Sequence, residues 1–224
     1  TEGIARLDGV NADLVQELAW QMGRPVRYGG EMGGVRERTA HMAAIAAETL
    51  APQVIEDSDR FRRFLAREPL GLVFVVAPWN YPFLTAVNTI VPGLIAGNAI
   101  VLKHASQTPL AGERLAQAFA HLPEGVFTVL PGKGSVVGDR FVTHPDVRKV
   151  VFTGSTEVGK RIMAGCSEQV KRLTLELGGK NSNIVFGDAD LEAAAAAAPG
   201  GAFDNAGQDC CSRARLLVES SAMD

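Results

Sequence analysis

Cysteine is scarce in this sequence of 224 residues, which has only Cys166, Cys210 and Cys211. Three thiols, two of them adjacent, cannot build the disulfide framework of a small secreted domain, and they fit a reducing compartment. Histidine is nearly as rare: His41, His104, His121 and His144 share no metal-ligand spacing with one another or with the cysteines, so no metal site is expected. No apolar run approaches the ~18–20 residues of a membrane helix, and Thr1 opens no signal peptide, so neither membrane insertion nor secretion is expected. Dense positive charge is missing as well. Arg60, Arg62 and Arg63 make the one basic run in a chain of net charge −3, and a solvated face explains it better than a nucleic-acid footprint. What is present is 46% hydrophobic residues, enough for a substantial core, and a cytoplasmic location is the expectation.

The apolar residues are arranged in two periods. Residues 9–23 place Leu14, Val15, Leu18, Ala19 and Met22 at helical spacing before a stop at Gly23 and Pro25. A second helix is predicted from about Arg36 to Leu50, ahead of Pro52. Phe61–Pro69, mixed in polarity and closed by proline, suits an edge or projecting strand. From Leu70 the chain alternates. Short β-branched runs at 72–76, 99–102, 126–130 and 147–152 are separated by helical stretches near 84–96, 109–121 and 135–142, the first with a kink expected at Pro92. Alternation of this kind predicts a parallel sheet with right-handed crossovers and a ligand at the carboxyl ends of its strands. Beyond Glu176 the pattern changes to a strand at Asn183–Phe186, a helix at Asp190–Ala198 ended by Pro199, and a strand at Leu216–Glu219 with no visible partner.

Four segments carry residues that a core of this kind does not require. Val150–Lys160 reads as a strand, a glycine turn and a helix start, which aims backbone N–H groups and a helix dipole at an anion such as a pyrophosphate; a purely structural turn is the alternative. Gly154 to Lys160 also satisfies G-x-x-x-x-G-K, but Arg161 stands where a phosphate-binding loop needs Ser or Thr for magnesium. Ala77-Pro78-Trp79-Asn80-Tyr81-Pro82 closes the first strand of the alternation, where ligand contacts belong, although a proline-bracketed turn around a core tryptophan would look the same. Glu176 interrupts an apolar run just before Gly178, Gly179 and Lys180. Cys210 and Cys211 follow a small amide-bearing turn, Asn205-Ala206-Gly207-Gln208, a setting that can activate a thiol; plain core packing is the competing explanation.

Taken together, Leu-Thr-Leu-Glu-Leu-Gly-Gly-Lys around Glu176, Phe-x-Asn-x-Gly-Gln-x-Cys ending at Cys210, Pro-Trp-Asn-Tyr-Pro around Asn80 and Phe-Thr-Gly-Ser from Phe152 resemble the aldehyde dehydrogenase family. The resemblance extends over nearly the whole chain. It implies an α/β fold with a Rossmann-like parallel-sheet cofactor domain and the beginning of a second α/β catalytic domain. On that reading residues 1–58 are N-terminal helices of an incomplete cofactor domain, 59–70 an oligomerisation-arm strand, 71–177 the Rossmann-like cofactor-binding domain and 178–224 the truncated start of the catalytic domain. Family members run longer, so the chain is expected to be an interior fragment that does not turn over in isolation.

The resemblance also implies roles. An aldehyde is oxidised to a carboxylic acid through a thiohemiacetal and a thioester on Cys210, with hydride transfer to NAD or NADP. Asn80 supplies an oxyanion donor, and Glu176, in an apolar strand environment that raises its pKa, is the general base for deacylation. Pro78, Trp79, Phe152, Thr153, Gly154, Ser155 and Val158 face the cofactor, Gly159 permits close helix approach, and Gly134 and Gly138 form a second cofactor-facing pair. Lys103 meets the adenosine ribose. Relatives preferring NAD often carry Glu three positions later; Ser106 stands there instead, removes the repulsion of a 2′-phosphate, and makes acceptance of NADP the expectation. His104 replaces the usual proline without an explanation from sequence. Cys166 is expected to be a packing residue and Cys211 a bystander able to trap its neighbour under oxidation. Tyr81, Phe83 and Asn88 are candidates for the substrate entry, the partner is a small-molecule aldehyde, and a homodimer or homotetramer is expected. A truncated nucleotide-binding or decoy protein without turnover, or a P-loop nucleotide hydrolase, are the alternative functions.

Overall fold

A computed structural model describes residues 1–223, and it opens on two helices where one was expected: α1 (Glu2–Asp8) and α2 (Asn11–Met22). Seven residues are too few to show a period, yet Ile4 and Leu7 of α1 are buried. Helix α2 stops at Gly23, whose φ of 73° gives the left-handed cap that glycine adopts without a Cβ penalty. The next helix, α3 (Met32–Leu50), begins before the expected Arg36, because burial of Met32 and Val35 outweighs the poor helix propensity of Gly33 and Gly34. Strand β1 (Gln53–Asp57), absent from the sequence reading, pairs antiparallel with β2 (Arg62–Leu65). Every residue of β2 is exposed, as suits a projecting strand.

The alternation after Leu70 then follows as β3 (Leu72–Val76), α4 (Pro82–Ile95), β4 (Ala99–Lys103), α5 (Pro109–Phe119), β5 (Phe127–Val129), a π-helical turn at Gly134–Gly138 leading into α6 (Asp139–Val142), β6 (Val147–Gly154), α7 (Thr156–Ser167) and β7 (Arg172–Leu177). The five strands form one parallel sheet in the order β5-β4-β3-β6-β7. Side chains alternate across it. Val73, Val75, Ile100, Leu102 and Val151 pack beneath α1 to α5, whereas Phe74, Val101, Val150 and Phe152 pack with Val142, Ile162 and Cys166 on the other face. A strand covered on both faces reads as a continuous apolar run, which is why these strands were legible. Burying a side chain the size of Phe74 contributes about 1.5–3 kcal/mol.

The strand order also locates the site. The chain moves outward from β3 through β4 and β5, then returns to the opposite side of β3 as β6 and β7. Connections diverge between β3 and β6, and a parallel sheet binds its ligands at the carboxyl ends of strands at such a point.

The last part of the chain contains β8 (Ser182–Val185), α8 (Leu191–Phe203) and β9 (Arg215–Val218). Strand β9, read from sequence as unpartnered, pairs in parallel with β8. One expectation about proline is corrected: α8 does not end at Pro199 but runs through it to Phe203, just as α4 continues past Pro92 to Ile95. The carbonyls that lose a partner to these prolines belong to Asn88 and Ala195, both exposed residues, so water can replace the missing N–H.

Candidate active site

At the end of β3 the ladder continues to Ala77, whose N–H donates to the Lys103 carbonyl at 3.1 Å, and stops at Pro78, which has no N–H. Pro78 is buried, while Trp79 and Asn80 are half-buried as the chain leaves the sheet for α4. On the neighbouring strand, Ser155 alone separates β6 from α7. Its Oγ accepts from the Val158 N–H at 3.4 Å, an N-cap that leaves the other first-turn N–H groups and the positive end of the helix dipole directed at the strand ends. This geometry removes the phosphate-binding-loop reading. The G-x-x-x-x-G-K residues are a strand end and a helical turn, with no loop between them to wrap a phosphate. Gly159 brings α7 close to β7: a Cβ there would lie 2.7 Å from Leu177 Cδ2.

Lys103 is buried at the end of β4, its Nζ donating to the His104 carbonyl at 2.7 Å, and desolvation lowers its pKa. A Cβ on Gly134 would stand 3.9 Å from Lys103 Cε, so the π-helical turn lies beside the lysine, whereas nothing approaches Gly138. Ser106 is exposed in the turn that follows. His104, unexplained by sequence, is a packing residue. It is buried, its Nδ1 lies 2.8 Å from the Ala105 carbonyl, and its ring occupies the space left by Gly112 of α5, where a Cβ would be 2.2 Å from Cδ2.

The thiol pair follows a 3-10 turn, Asp204–Gly207, in which Asn205 (φ 52°), Ala206 (φ 58°) and Gly207 (φ 74°) are all left-handed. Asn205 holds this strained turn, and it is nearly inaccessible to solvent: its Nδ2 donates to the carbonyls of Asn80 and Gln208, both at 3.1 Å. The Asn80 amide in turn donates to the Gln208 carbonyl at 3.1 Å, so the carboxyl end of β3 and the thiol loop are joined directly. The two cysteines differ. Cys211 donates its thiol to Asp209 Oδ1 at 3.1 Å, and that hydrogen bond, with burial second, holds its pKa up at about 11. Cys210 is exposed and faces the strand ends. Cys166 is buried in the second core cluster, which raises its pKa and fits the packing role expected of it. Among the described residues, Asp209, Cys210 and Cys211 alone bring three potential metal ligands together, within 4.8 Å, a consequence of adjacency in the chain and of the Cys211–Asp209 bond.

These elements enclose a cleft of about 600 Å³ at the divergence of β3 and β6. Its lining includes Pro78, Trp79, Asn80, Lys103, Phe152, Thr153, Gly154, Ser155, Val158, Glu176 and Cys210, drawn from five separate stretches of the sequence. Ser106, Gly134, Gly138 and Gly159 lie outside the lining. Ala105 and Asp209 line it without having been singled out from sequence, whereas Leu177, Gly207 and Gln208 belong to the motifs around Glu176 and Cys210. Tyr81, Phe83 and Asn88, expected at the substrate entry, do not line this cleft, and Phe83 is corrected to a core residue. Glu176 sits exposed on the edge strand β7 and not in the apolar surroundings expected of it. The cleft's dimensions, its helix N-terminus and its buried lysine could accommodate a dinucleotide, the first two features suiting a pyrophosphate.

Comparison with known proteins gives the same direction. A family model described as the aldehyde dehydrogenase family matches residues 5–224. The chain is 46% identical over 161 residues to a human cytosolic 10-formyltetrahydrofolate dehydrogenase, covering 70% of this chain and 18% of that protein. It is 41% identical over 214 residues to a probable NADP-dependent succinate-semialdehyde dehydrogenase of Sinorhizobium fredii, covering 93% of this chain and 43% of that one. Its fold superimposes on an NAD-dependent aldehyde dehydrogenase from Sinorhizobium meliloti with a TM-score of 0.93 at 35% identity, covering 100% of this chain and 45% of that structure. The chain thus spans less than half the length of each of these proteins. Motifs dispersed over the sequence, the cleft into which the fold gathers them, and a match that runs almost from end to end agree that this chain belongs to the aldehyde dehydrogenase family.

Proposed function

We propose that the protein carrying this chain oxidises a small aldehyde to a carboxylic acid with NAD or NADP as the oxidant. The observation that carries the reading is that Asn80, Glu176 and Cys210, far apart in sequence, line one cleft beside a capped helix N-terminus. Cys210 is the nucleophile: its thiolate adds to the carbonyl carbon, and the oxyanion that forms takes hydrogen bonds from the Asn80 amide and the Cys210 backbone N–H. An amide nitrogen carries two donors, so the Asn80 bond to Gln208 leaves one for the oxyanion. A bound nicotinamide would supply the hydride acceptor, and Cys210 would then carry the acyl group as a thioester. Glu176 then takes a proton from water as that water attacks the thioester, releasing the acid and the free thiol.

The first turn of α7 with Gly154 and Ser155 receives the pyrophosphate, Pro78, Trp79, Phe152, Thr153 and Val158 form the walls, and Lys103 with the turn Gly134–Gly138 receives the adenosine end. Ser106, exposed beside Lys103, leaves room for a 2′-phosphate and offers it a hydroxyl, so NADP is accepted. Ser106→Glu should shift the ratio of kcat/KM values toward NAD by at least tenfold, about 1.4 kcal/mol. An unchanged ratio would remove Ser106 from cofactor choice. Residues 71–177 form the cofactor-binding unit and 178–224 begin the catalytic one. The β1–β2 hairpin, with Val54, Ile55, Phe61, Phe64 and Leu65 exposed, is the arm that joins subunits of a homodimer or homotetramer. Three free cysteines and a cytosolic relative favour the cytoplasm.

The test is the first turnover. Cys210→Ala should abolish aldehyde-dependent formation of reduced cofactor, whereas Glu176→Gln should give a burst of about one equivalent per site followed by a stall. A Cys210→Ala variant that still oxidises aldehyde would overturn the mechanism, and a Glu176→Gln variant with undiminished steady-state turnover would remove the general base.

A further inference from the structure

The turn between α2 and α3 hides two opposite charges. The side chains of Arg24 and Glu31 are each 2% exposed and pair at 2.9 Å between Nη1 and Oε1. Desolvating such a pair costs several kcal/mol per ion, a cost that Coulomb attraction barely recovers, so the pair is a poor source of stability by itself. Its other contacts show what it connects. Arg24 donates through Nε to Asn205 Oδ1 at 2.8 Å and through Nη2 to the Asn80 carbonyl at 2.6 Å, while its guanidinium lies 4.8 Å from the centre of the Tyr81 ring. Glu31 Oε2 accepts from the N–H groups of Phe83 and Leu84 at 3.0 and 2.7 Å. Those are first-turn donors of α4, the helix that begins just after Asn80 and has no side-chain cap of its own.

We propose that Arg24 is a positioning residue that holds Asn80 and the Cys210 loop in register, with Glu31 anchoring it to the start of α4. The proposal rests on the dehydrogenase reading above. A guanidinium has donors that diverge in one plane, and here they reach three acceptors on three separate parts of the chain. One acceptor is Asn205, the residue that holds the left-handed turn before Cys210, and another is the backbone of the oxyanion donor. The thiol and the amide must meet one substrate carbonyl together, and a misplacement of about 1 Å costs on the order of 10²-fold in rate.

Three variants of the protein as its gene encodes it separate positioning from simple charge neutralisation. R24M strands the buried Glu31 carboxylate and should lower the Tm. R24M/E31Q removes that stranded charge and should recover most of the lost Tm, yet its first-turnover burst should stay about 10–100-fold slower than wild type, with the Kd for the reduced cofactor changed less than about twofold. Asn205→Ala keeps the ion pair but removes both its link to the thiol loop and the amide bonds from Asn205 to the Asn80 and Gln208 carbonyls, and should slow the burst by at least a similar factor. Amide hydrogen exchange should be faster at residues 204–208 in the double variant and in Asn205→Ala. Recovery of the burst rate together with the Tm in R24M/E31Q, or unchanged exchange at 204–208, would overturn the proposal. If the wild type oxidises no aldehyde, the dehydrogenase reading fails by itself and the clamp is judged by exchange alone.

Discussion

Cys210 and Cys211 are identical side chains with different surroundings, and the difference predicts their reactivity. A thiol held at about 11 by its hydrogen bond to Asp209 is ionised to about one part in 10³ at pH 8, and the thiolate is the species that reacts. Iodoacetamide at pH 8 should therefore alkylate Cys210 well before Cys211, as peptide mapping would reveal. Asp209→Ala removes the acceptor, lowers the Cys211 pKa and should raise its alkylation rate several-fold. Equal labelling of both thiols in the unmodified protein would contradict this account. Asn80 makes a second prediction at the same scale. Asn80→Ala should lower kcat by about 10²–10³ through loss of the oxyanion donor. Its bond to the Gln208 carbonyl is worth about 0.5–1.5 kcal/mol, so the Tm should fall by only a few degrees.

Among the elements, α5 and α7 approach the sheet through glycines, and the two should respond differently to a methyl group. Gly112→Ala would press on the buried ring of His104, tied to the Ala105 carbonyl, and overpacking of this kind costs about 1–3 kcal/mol. A clear fall in Tm is expected, measured by thermal unfolding. Gly159→Ala meets only the tip of Leu177, a flexible side chain that can turn aside, but Leu177 lines the cleft. Its Tm should change less than that of Gly112→Ala while cofactor affinity falls several-fold, and a reversed ranking of the two variants would show that the packing has been misjudged. The close approach at Gly159 was expected from the family resemblance, but its partner Leu177 and the whole Gly112–His104 contact were not: the alternation of runs exposed strands and helices, but not which glycine faces which side chain. Strand β1 was missed for a related reason, since Gln53-Val54-Ile55-Glu56-Asp57 has only two central apolar residues and its one partner is an exposed strand.

At the scale of the whole molecule, Glu31 couples folding to pH. Burial, opposed by Arg24 and by the Phe83 and Leu84 N–H groups, pushes its pKa up from 4.5 to about 7. Between those values the folded state keeps a proton that the unfolded state releases, so this contribution to stability is fully present below about 4.5 and is lost as pH rises through about 7. The sum involved is on the order of 3 kcal/mol. Unfolding in denaturant across pH 5 to 8 should show this decline, and Glu31→Gln, which cannot ionise, should flatten it. An identical profile in the variant would mean that the group titrates normally despite its burial.

Local chemistry was enough to indicate the parallel sheet and a ligand site at its mouth, whereas Asn80, Lys103 and Cys210 were picked out by the family resemblance of their motifs. Strands buried on both faces must be continuously apolar, a turn from strand to helix must spare room for backbone N–H groups, and a reactive thiol or a carboxylate in an apolar run stands out against that background. What the sequence could not determine is how those residues are held in register. Arg24 meets Asn205 across 181 positions, and nothing in the turn Arg24–Glu31 distinguishes a buried, fully bonded ion pair from two solvated charges. The same holds for the exposure of Glu176, which depends on β7 lying at the edge of the sheet, and for Pro92 and Pro199, whose effect depends on whether a freed carbonyl faces water. Periodicity and motif are properties of neighbours along the chain, whereas burial and long-range hydrogen bonding exist only once distant segments have packed.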